Sequence, residues 1–261
     1  YIIKRDINYF NQALKFARKA RELAPDSPEG YKGGIGHSYA VMGKYGLAYI
    51  EFKKALQKAP NSAILNFTTG FYYHRMGLYH QALKYCTRAN ELDPLLLLPY
   101  NTIARSFMYL KNYKQSARYL KKESDLFPDQ PYLIRLYCTF YLRMKNYDKA
   151  EECIDKLEKG YVSFKSTTKT QKAILFAARG EKKKALALGA QSATVYSLLG
   201  MQDKAIAIMQ KSLKKSEDAY NYLYLINNPH YDNLRDDPRF QKIVADARKI
   251  YEERLKKYRK M

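Results

Sequence analysis

The sequence has little cysteine. Its three cysteines, Cys86, Cys138 and Cys153, are widely spaced, and no Cys-x-x-Cys motif occurs. A disulfide framework or a zinc site needs paired or closely spaced cysteines, so neither is expected to hold this fold together. The same scarcity favours a reducing compartment, and we expect a cytoplasmic location.

Long apolar runs are missing as well. The longest run of leucines covers residues 95–98 and is followed directly by Pro99. A membrane-spanning helix needs about 18 or more apolar residues in succession, so we expect no membrane span. Because 46% of the 261 residues are hydrophobic, the composition is not that of a disordered chain, and the length allows a large core.

Acidic residues are scarce relative to basic ones. The chain has 25 Asp and Glu against 47 Lys and Arg, a formal net charge of +22. Such an excess attracts nucleic acid, acidic peptides and anionic membranes without distinguishing among them. The charge keeps nucleic-acid binding as an alternative hypothesis, although the lysines are scattered over many segments, as is typical of solvated helix faces.

Nucleotide-binding motifs are also lacking. The most glycine-dense stretch, YKGGIGHSYAVMG at residues 31–43, lacks the third glycine of G-x-G-x-x-G, and PDSPEG precedes it in place of a strand. A Walker loop would end in Gly-Lys-Ser or Gly-Lys-Thr, which this stretch lacks. We therefore expect no cofactor, and another reason is needed for the glycines.

What the sequence does contain is a period of 34 residues. Tyr45, Tyr79, Tyr113 and Tyr147 stand 34 apart, as do Pro60, Pro94 and Pro128. Small residues recur in the same register at Gly36, Gly70, Ala104 and Cys138, each followed three residues later by an aromatic residue. Each period reads as two helices joined by a short turn, with a proline that ends the second helix.

This pattern resembles the tetratricopeptide repeat. The resemblance covers roughly residues 6–215 and implies an all-α fold, a right-handed α-solenoid of about six helix pairs with a C-terminal capping helix. The small residues on the first helices would face Ala48, Ala82, Ser116 and Ala150 on the second helices. Cys86 and Cys138 fall on core positions of the repeat.

The domain organisation follows from the same register. A repeat array is expected over residues 1–216, with repeats near 1–28, 29–62, 63–96, 97–130, 131–164, 166–189 and 186–216. Residues 217–261 form a linker and a capping helix. In that helix Asp237 is the predicted N-cap and Pro238 the first helical residue.

The concave face of such an array is the expected binding site. In the repeat register, its first helices place eleven residues there: His37, Phe67, Phe71, His74, Arg75, Asn101, Arg105, Tyr109, Tyr132, Arg135 and Arg143. Four of these are arginines and none is acidic. Because the guanidinium fork pairs with carboxylates, an acidic peptide or a free C-terminus is the expected ligand.

Several other functions are not expected. The carboxylate clamp by which related domains hold heat-shock chaperone tails would fall at Gly33, His37, Thr68, Leu98 and Thr102, none of which is Lys or Arg. His37 and His74 lack a third ligand, so no metal site is expected. No nucleophile is paired with a base in a recognisable order, and we expect no catalytic residues and no enzyme activity.

The C-terminal stretch PHYDNLRDDPRF at residues 229–240 carries a second resemblance. It looks like the tail of tetratricopeptide modules in bacterial signalling and transcription-regulatory proteins. The leading hypothesis is therefore a non-catalytic protein–protein interaction module that binds a peptide or partner domain in its groove, as the docking or sensing part of a larger regulatory protein. The alternative is a basic nucleic-acid-binding solenoid.

Overall fold

The computed structural model describes residues 7–23, 35–41, 45–128, 130–215 and 220–259. Within these ranges it contains α-helices, two short 3-10 helices and no strand. The chain divides into an N-terminal unit, Tyr1–Ser106, and a C-terminal unit, Phe107–Met261. Each is described by itself.

The helices follow one another in pairs. The first part of the chain contains α1 (Ile7–Leu23), α2 (Ile35–Val41), α3 (Tyr45–Lys58), α4 (Ala63–Arg75), α5 (Tyr79–Leu92) and α6 (Leu97–Tyr109). The remainder contains α7 (Tyr113–Leu126), α8 (Pro131–Arg143), α9 (Tyr147–Gly160), α10 (Lys165–Ala178), α11 (Lys182–Ala187), α12 (Ala193–Leu198), α13 (Gln202–Lys215), α14 (Tyr222–Asn227) and α15 (Pro238–Arg259).

The 34-residue period sets where helices begin. The first helices α4, α6 and α8 start at residues 63, 97 and 131, and the second helices α3, α5, α7 and α9 start at 45, 79, 113 and 147. Asn112 and Asn146, also 34 apart, each cap a second helix by accepting a hydrogen bond from a backbone N–H (3.2 and 3.3 Å). The prediction of an all-α array of helix pairs is confirmed.

Small residues allow the helices of a pair to approach closely. A β-carbon added to Gly70 on α4 would lie 2.6 Å from Cys86 Sγ and 3.0 Å from the carbonyl oxygen of Ala82, both on α5. Ala82 and Cys86 are themselves fully buried. Gly36 is explained in the same way, because its added β-carbon would lie 2.7 Å from the ring of Phe52.

The turn within each pair needs a left-handed residue. Gly77 supplies it in the repeat built from α4 and α5 (φ 80°), and Lys111 (φ 59°) and Lys145 (φ 57°) occupy the equivalent positions 34 and 68 residues later. Gly180 and Gly200 adopt the same conformation (φ 79° and 69°) in later turns. A left-handed conformation is unfavourable for lysine, so the packing of the two helices in each pair must impose it on Lys111 and Lys145.

The last helices close the array. Leu225 of α14, Tyr231 and Leu234 of the 3-10 helix Pro229–Leu234, and Phe240 and Ile243 of α15 share one buried cluster. Asp237 caps α15 by accepting a hydrogen bond from the backbone N–H of Arg239 (2.8 Å). The capping helix is confirmed, whereas α14 lies within the stretch that the sequence predicted to be a linker.

Candidate functional site

Apart from His37, the predicted groove residues of the N-terminal unit lie on α4 and α6, the first helices of two successive repeats. Phe67 is 9% exposed and contributes mainly to the core. Phe71 is half-buried, and the two ring centroids are 5.9 Å apart. Phe71 is therefore partly accessible, and it also packs against the buried cluster of Ala48, Phe52 and Tyr72.

His74 joins the two first helices. Its Nδ1 lies 2.9 Å from Ser106 Oγ on α6, and both residues are buried. Burial lowers the pKa of His74 well below its usual value, and the positive charges of Arg105 and Arg75 lower it further. The imidazole is therefore neutral at physiological pH, and two guanidinium groups lie near enough to influence it.

The arginines themselves remain accessible. Arg75 is exposed at the end of α4, and Asn101 and Arg105 are half-buried on α6. Phe71 and Arg75 on α4, and Asn101 and Arg105 on α6, are each four residues apart, so each pair lies on one helix face. Arg75 and Arg105 both lie near enough to His74 to act on its pKa, and Phe71 and Asn101 precede them by one turn on the same helices. We call these four residues the arginine face.

Apolar residues that the sequence reading omitted belong to the same region. Ile64 on α4 and Leu98 on α6 stand 34 apart and are 37% and 53% exposed, and Leu95 just before α6 is 71% exposed. The register could have identified Ile64 and Leu98, because each is the second residue of its first helix. Ile64 and Leu98 stand seven residues, two helical turns, before Phe71 and Arg105, so each lies on the same helix face as one residue of the arginine face.

In the C-terminal unit, the predicted residues divide into two groups. Tyr132 is 62% exposed, and the half-buried guanidinium of Arg135 lies 5.8 Å from its ring centroid. Arg143, in contrast, is only 5% exposed, and its guanidinium lies beside the rings of Tyr109 and Tyr224, 4.9 and 5.1 Å from their centroids. Arg143 is thus enclosed rather than displayed.

The chain's own C-terminal segment encloses Arg143. Asn227 Nδ2 donates a hydrogen bond to the carbonyl oxygen of Tyr109 (2.9 Å), and His230 Nε2 donates one to that of Leu142 (3.2 Å). These carbonyls lie at the C-terminal ends of α6 and α8, where helix carbonyls lack intrahelical partners. Residues 224–230 therefore cover Tyr109 and Arg143.

Other predicted positions lie outside what the structure describes. The backbone of His37 belongs to α2, but its side chain is outside the described residues, as are Gly33 and Gly34. Among the described residues, there is no group of three or more His, Cys, Asp or Glu side chains placed to bind a metal. The described helices also include none long and apolar enough to cross a membrane.

Comparison with solved structures identifies the fold. A chain of the APC/C hetero-tetramer Cut9–Hcn1 matches 91% of this chain with a TM-score of 0.64 and 16% identity. A tetratricopeptide repeat protein from Parabacteroides merdae matches 92% of it with a TM-score of 0.63 and 16% identity. PilF of Pseudomonas aeruginosa matches 78% with a TM-score of 0.59 and 18% identity.

These neighbours define an α-solenoid of helix pairs. The helix pairs and the 34-residue period together show that it is the tetratricopeptide repeat fold. The chain spans 46% of the Cut9–Hcn1 chain, 92% of the Parabacteroides protein and 90% of PilF. No family model and no curated protein matches the sequence. At these identities, the comparisons establish the fold alone.

Proposed function

We propose that this protein is a non-catalytic scaffold that binds an acidic segment of a partner protein on the arginine face of its N-terminal unit. The observation that carries the proposal is the pair Arg75 and Arg105 on two first helices tied together by the bond between His74 and Ser106. Solenoids of this kind use their repeated faces as extended binding surfaces, which supports a protein partner.

The chemistry of the face supports an acidic ligand with an apolar residue. A guanidinium fork forms paired, charge-assisted hydrogen bonds with a carboxylate. Because His74 is neutral, it contributes no charge, and the cationic character comes from the two arginines. Phe71, Ile64 and Leu98 offer apolar contacts beside them. An extended peptide that alternates acidic and apolar residues matches this arrangement.

Selection from a random peptide library tests the proposal. We expect enrichment of acidic sequences with an apolar residue, bound more weakly as salt rises. Arg75→Glu and Arg105→Glu should each weaken the selected peptide by roughly ten- to a hundredfold, the worth of a charge-assisted hydrogen bond. Lys84→Glu, an equal charge change at an exposed site on α5, is the matched control. Equal losses in all three variants would show only a general charge effect.

The alternative of nucleic-acid binding gains no support from the structure. Exposed cations on the helices are in several cases paired with carboxylates, as in Arg88 with Glu91 (3.2 Å) and Lys121 with Asp125 (3.0 Å). A salt titration with single- and double-stranded oligonucleotides provides the comparison. Oligonucleotide binding that is tighter than that of any selected peptide would favour this alternative.

The regulatory context is part of the same proposal. We infer from the stretch PHYDNLRDDPRF at 229–240 that the scaffold serves as the docking or sensing part of a larger regulatory protein, since this stretch resembles the tails of such modules. Sequencing the full transcript tests this inference. A kinase, cyclase or DNA-binding domain encoded on the same chain is expected, and an unrelated domain would contradict it.

A further inference from the structure

Arg143 of the C-terminal unit is a buried cation in an aromatic enclosure. The two rings of Tyr109 and Tyr224 lie against its guanidinium, and those rings meet each other edge to face with centroids 5.3 Å apart. Aromatic rings at this distance attract a guanidinium. The N–H donors at its edge need hydrogen-bond acceptors instead.

Those donors are not all satisfied. Nη1 of Arg143 is buried and has no hydrogen-bond partner in the described part of the chain. None of the ion pairs formed among the described residues includes Arg143. A buried guanidinium without a counter-charge is unfavourable, because the hydration that it loses on burial is not replaced. The described residues therefore leave the buried charge of Arg143 without a counter-charge.

The titratable groups around His230 do not supply the missing charge. His230 is buried, lies near enough to Arg143 to be influenced by its charge, and donates a hydrogen bond from Nε2 to the Leu142 carbonyl oxygen (3.2 Å). Asp232, two residues further, is exposed and pairs with Arg235 (3.2 Å). Lys145 adds a further positive charge to the surroundings of His230. The local field favours an anion.

A second buried donor lies on the same covering segment. Asn228 is fully buried, and its Oδ1 accepts a hydrogen bond from the backbone N–H of His230 (3.3 Å). Its Nδ2 has no partner among the described residues. Buried amide donors are nearly always satisfied, so this one is a further sign that an acceptor belongs in the region.

We propose that Arg143 anchors an enclosed site for a small anion that carries a carboxylate or phosphate group, closed by residues 224–230. Both groups present oxygen pairs that match the guanidinium fork. The site uses residues of the C-terminal unit alone and does not depend on the arginine face. It differs from a peptide groove because its anchor is 5% exposed.

Thermal unfolding of the whole protein in acetate and in phosphate tests the site, with sodium chloride at matched ionic strength as the reference. We expect at least one of the two oxyanions to raise Tm in a saturable way, because a ligand that binds only the folded state stabilises it. The more effective ion identifies the group. Arg143→Met should abolish the rise, whereas Arg118→Met, at an exposed position on α7, should retain it.

A conservative variant keeps the test decisive if Arg143→Met does not fold. Arg143→Lys preserves the charge but removes the fork, so the half-saturating anion concentration should rise about tenfold or more. Three results overturn the proposal: no saturable rise in the wild-type protein, an undiminished rise in Arg143→Met, or an unchanged half-saturation in Arg143→Lys. A loss of peptide binding on the arginine face would leave all three measurements unaffected.

Discussion

His74 Nδ1 donates a hydrogen bond to Ser106 Oγ across 2.9 Å. The direction follows from Ser106, whose single hydroxyl proton is given to the carbonyl oxygen of Thr102 (2.8 Å). Oγ must therefore act as the acceptor, and the proton of the neutral imidazole sits on Nδ1. One buried contact thus sets the tautomer of His74 and connects α4 to α6.

Removing the hydroxyl should destabilise the N-terminal unit. Ser106→Ala would leave the buried Nδ1–H without its acceptor, and such a loss costs about 1–3 kcal/mol of unfolding free energy. Urea unfolding monitored by far-ultraviolet circular dichroism measures it. Ser163→Ala, at an exposed site in the 3-10 helix Val162–Phe164, should cost almost nothing. Equal stability of the two variants would contradict the role given to this bond.

The close packing of α4 against α5 predicts opposite results at two glycines. Gly70→Ala should lower the unfolding free energy by about 1–3 kcal/mol, since its β-carbon would meet Cys86 Sγ at 2.6 Å. Gly160→Ala has no atom within 4 Å of the new β-carbon and should be neutral or stabilising by up to about 1 kcal/mol. Similar values for both substitutions would show that helix propensity, and not contact, decides.

The stability of the C-terminal unit should depend on pH through His230. Burial lowers its pKa to about 4, and Arg143 and Lys145 act in the same direction, whereas the Leu142 carbonyl and Asp232 oppose them. The unfolded pKa is near 6.5, so the unfolded state binds more protons between these values, and stability rises with pH. The contribution is complete above about pH 6.5 and is lost as pH falls towards 4.

His230→Gln isolates this effect, because glutamine offers an amide donor to the Leu142 carbonyl but does not titrate. Between about pH 7 and pH 4, the wild-type protein should lose about 3 kcal/mol more than the variant. Chemical unfolding at a series of pH values provides the comparison. His74 is present in both proteins, and its own titration cancels. Parallel pH profiles would refute the assignment to His230.

Much of the fold was predictable because each repeat uses the same kinds of residue at the same packing positions. The small residue at Gly70, the turn at Gly77 and the cap at Asp237 act locally or within one helix pair, so their spacing alone indicates their role. The turns at Lys111 and Lys145 were located by register although their residue type disfavours φ values of 59° and 57°.

The site was less predictable because its burial depends on contacts far apart in sequence. Arg143 shares a register position with the exposed Arg75, yet Tyr224 and His230, some 80 or more residues later, enclose it. The short helix α14 that carries Tyr224 was read as linker, since its six residues are too few to show a helical period. The assignment of Tyr132 and Arg135 to a groove stays a prediction.

The central claim, an acidic ligand on the arginine face, is tested most directly by a double-mutant cycle between Arg105 and an acidic residue of a selected peptide. Affinities are measured by fluorescence anisotropy for wild-type protein and Arg105→Gln, each with the acidic peptide and its amide counterpart. Our account predicts a coupling free energy of about 1 kcal/mol or more for one acidic position. Additive losses at every acidic position would contradict it.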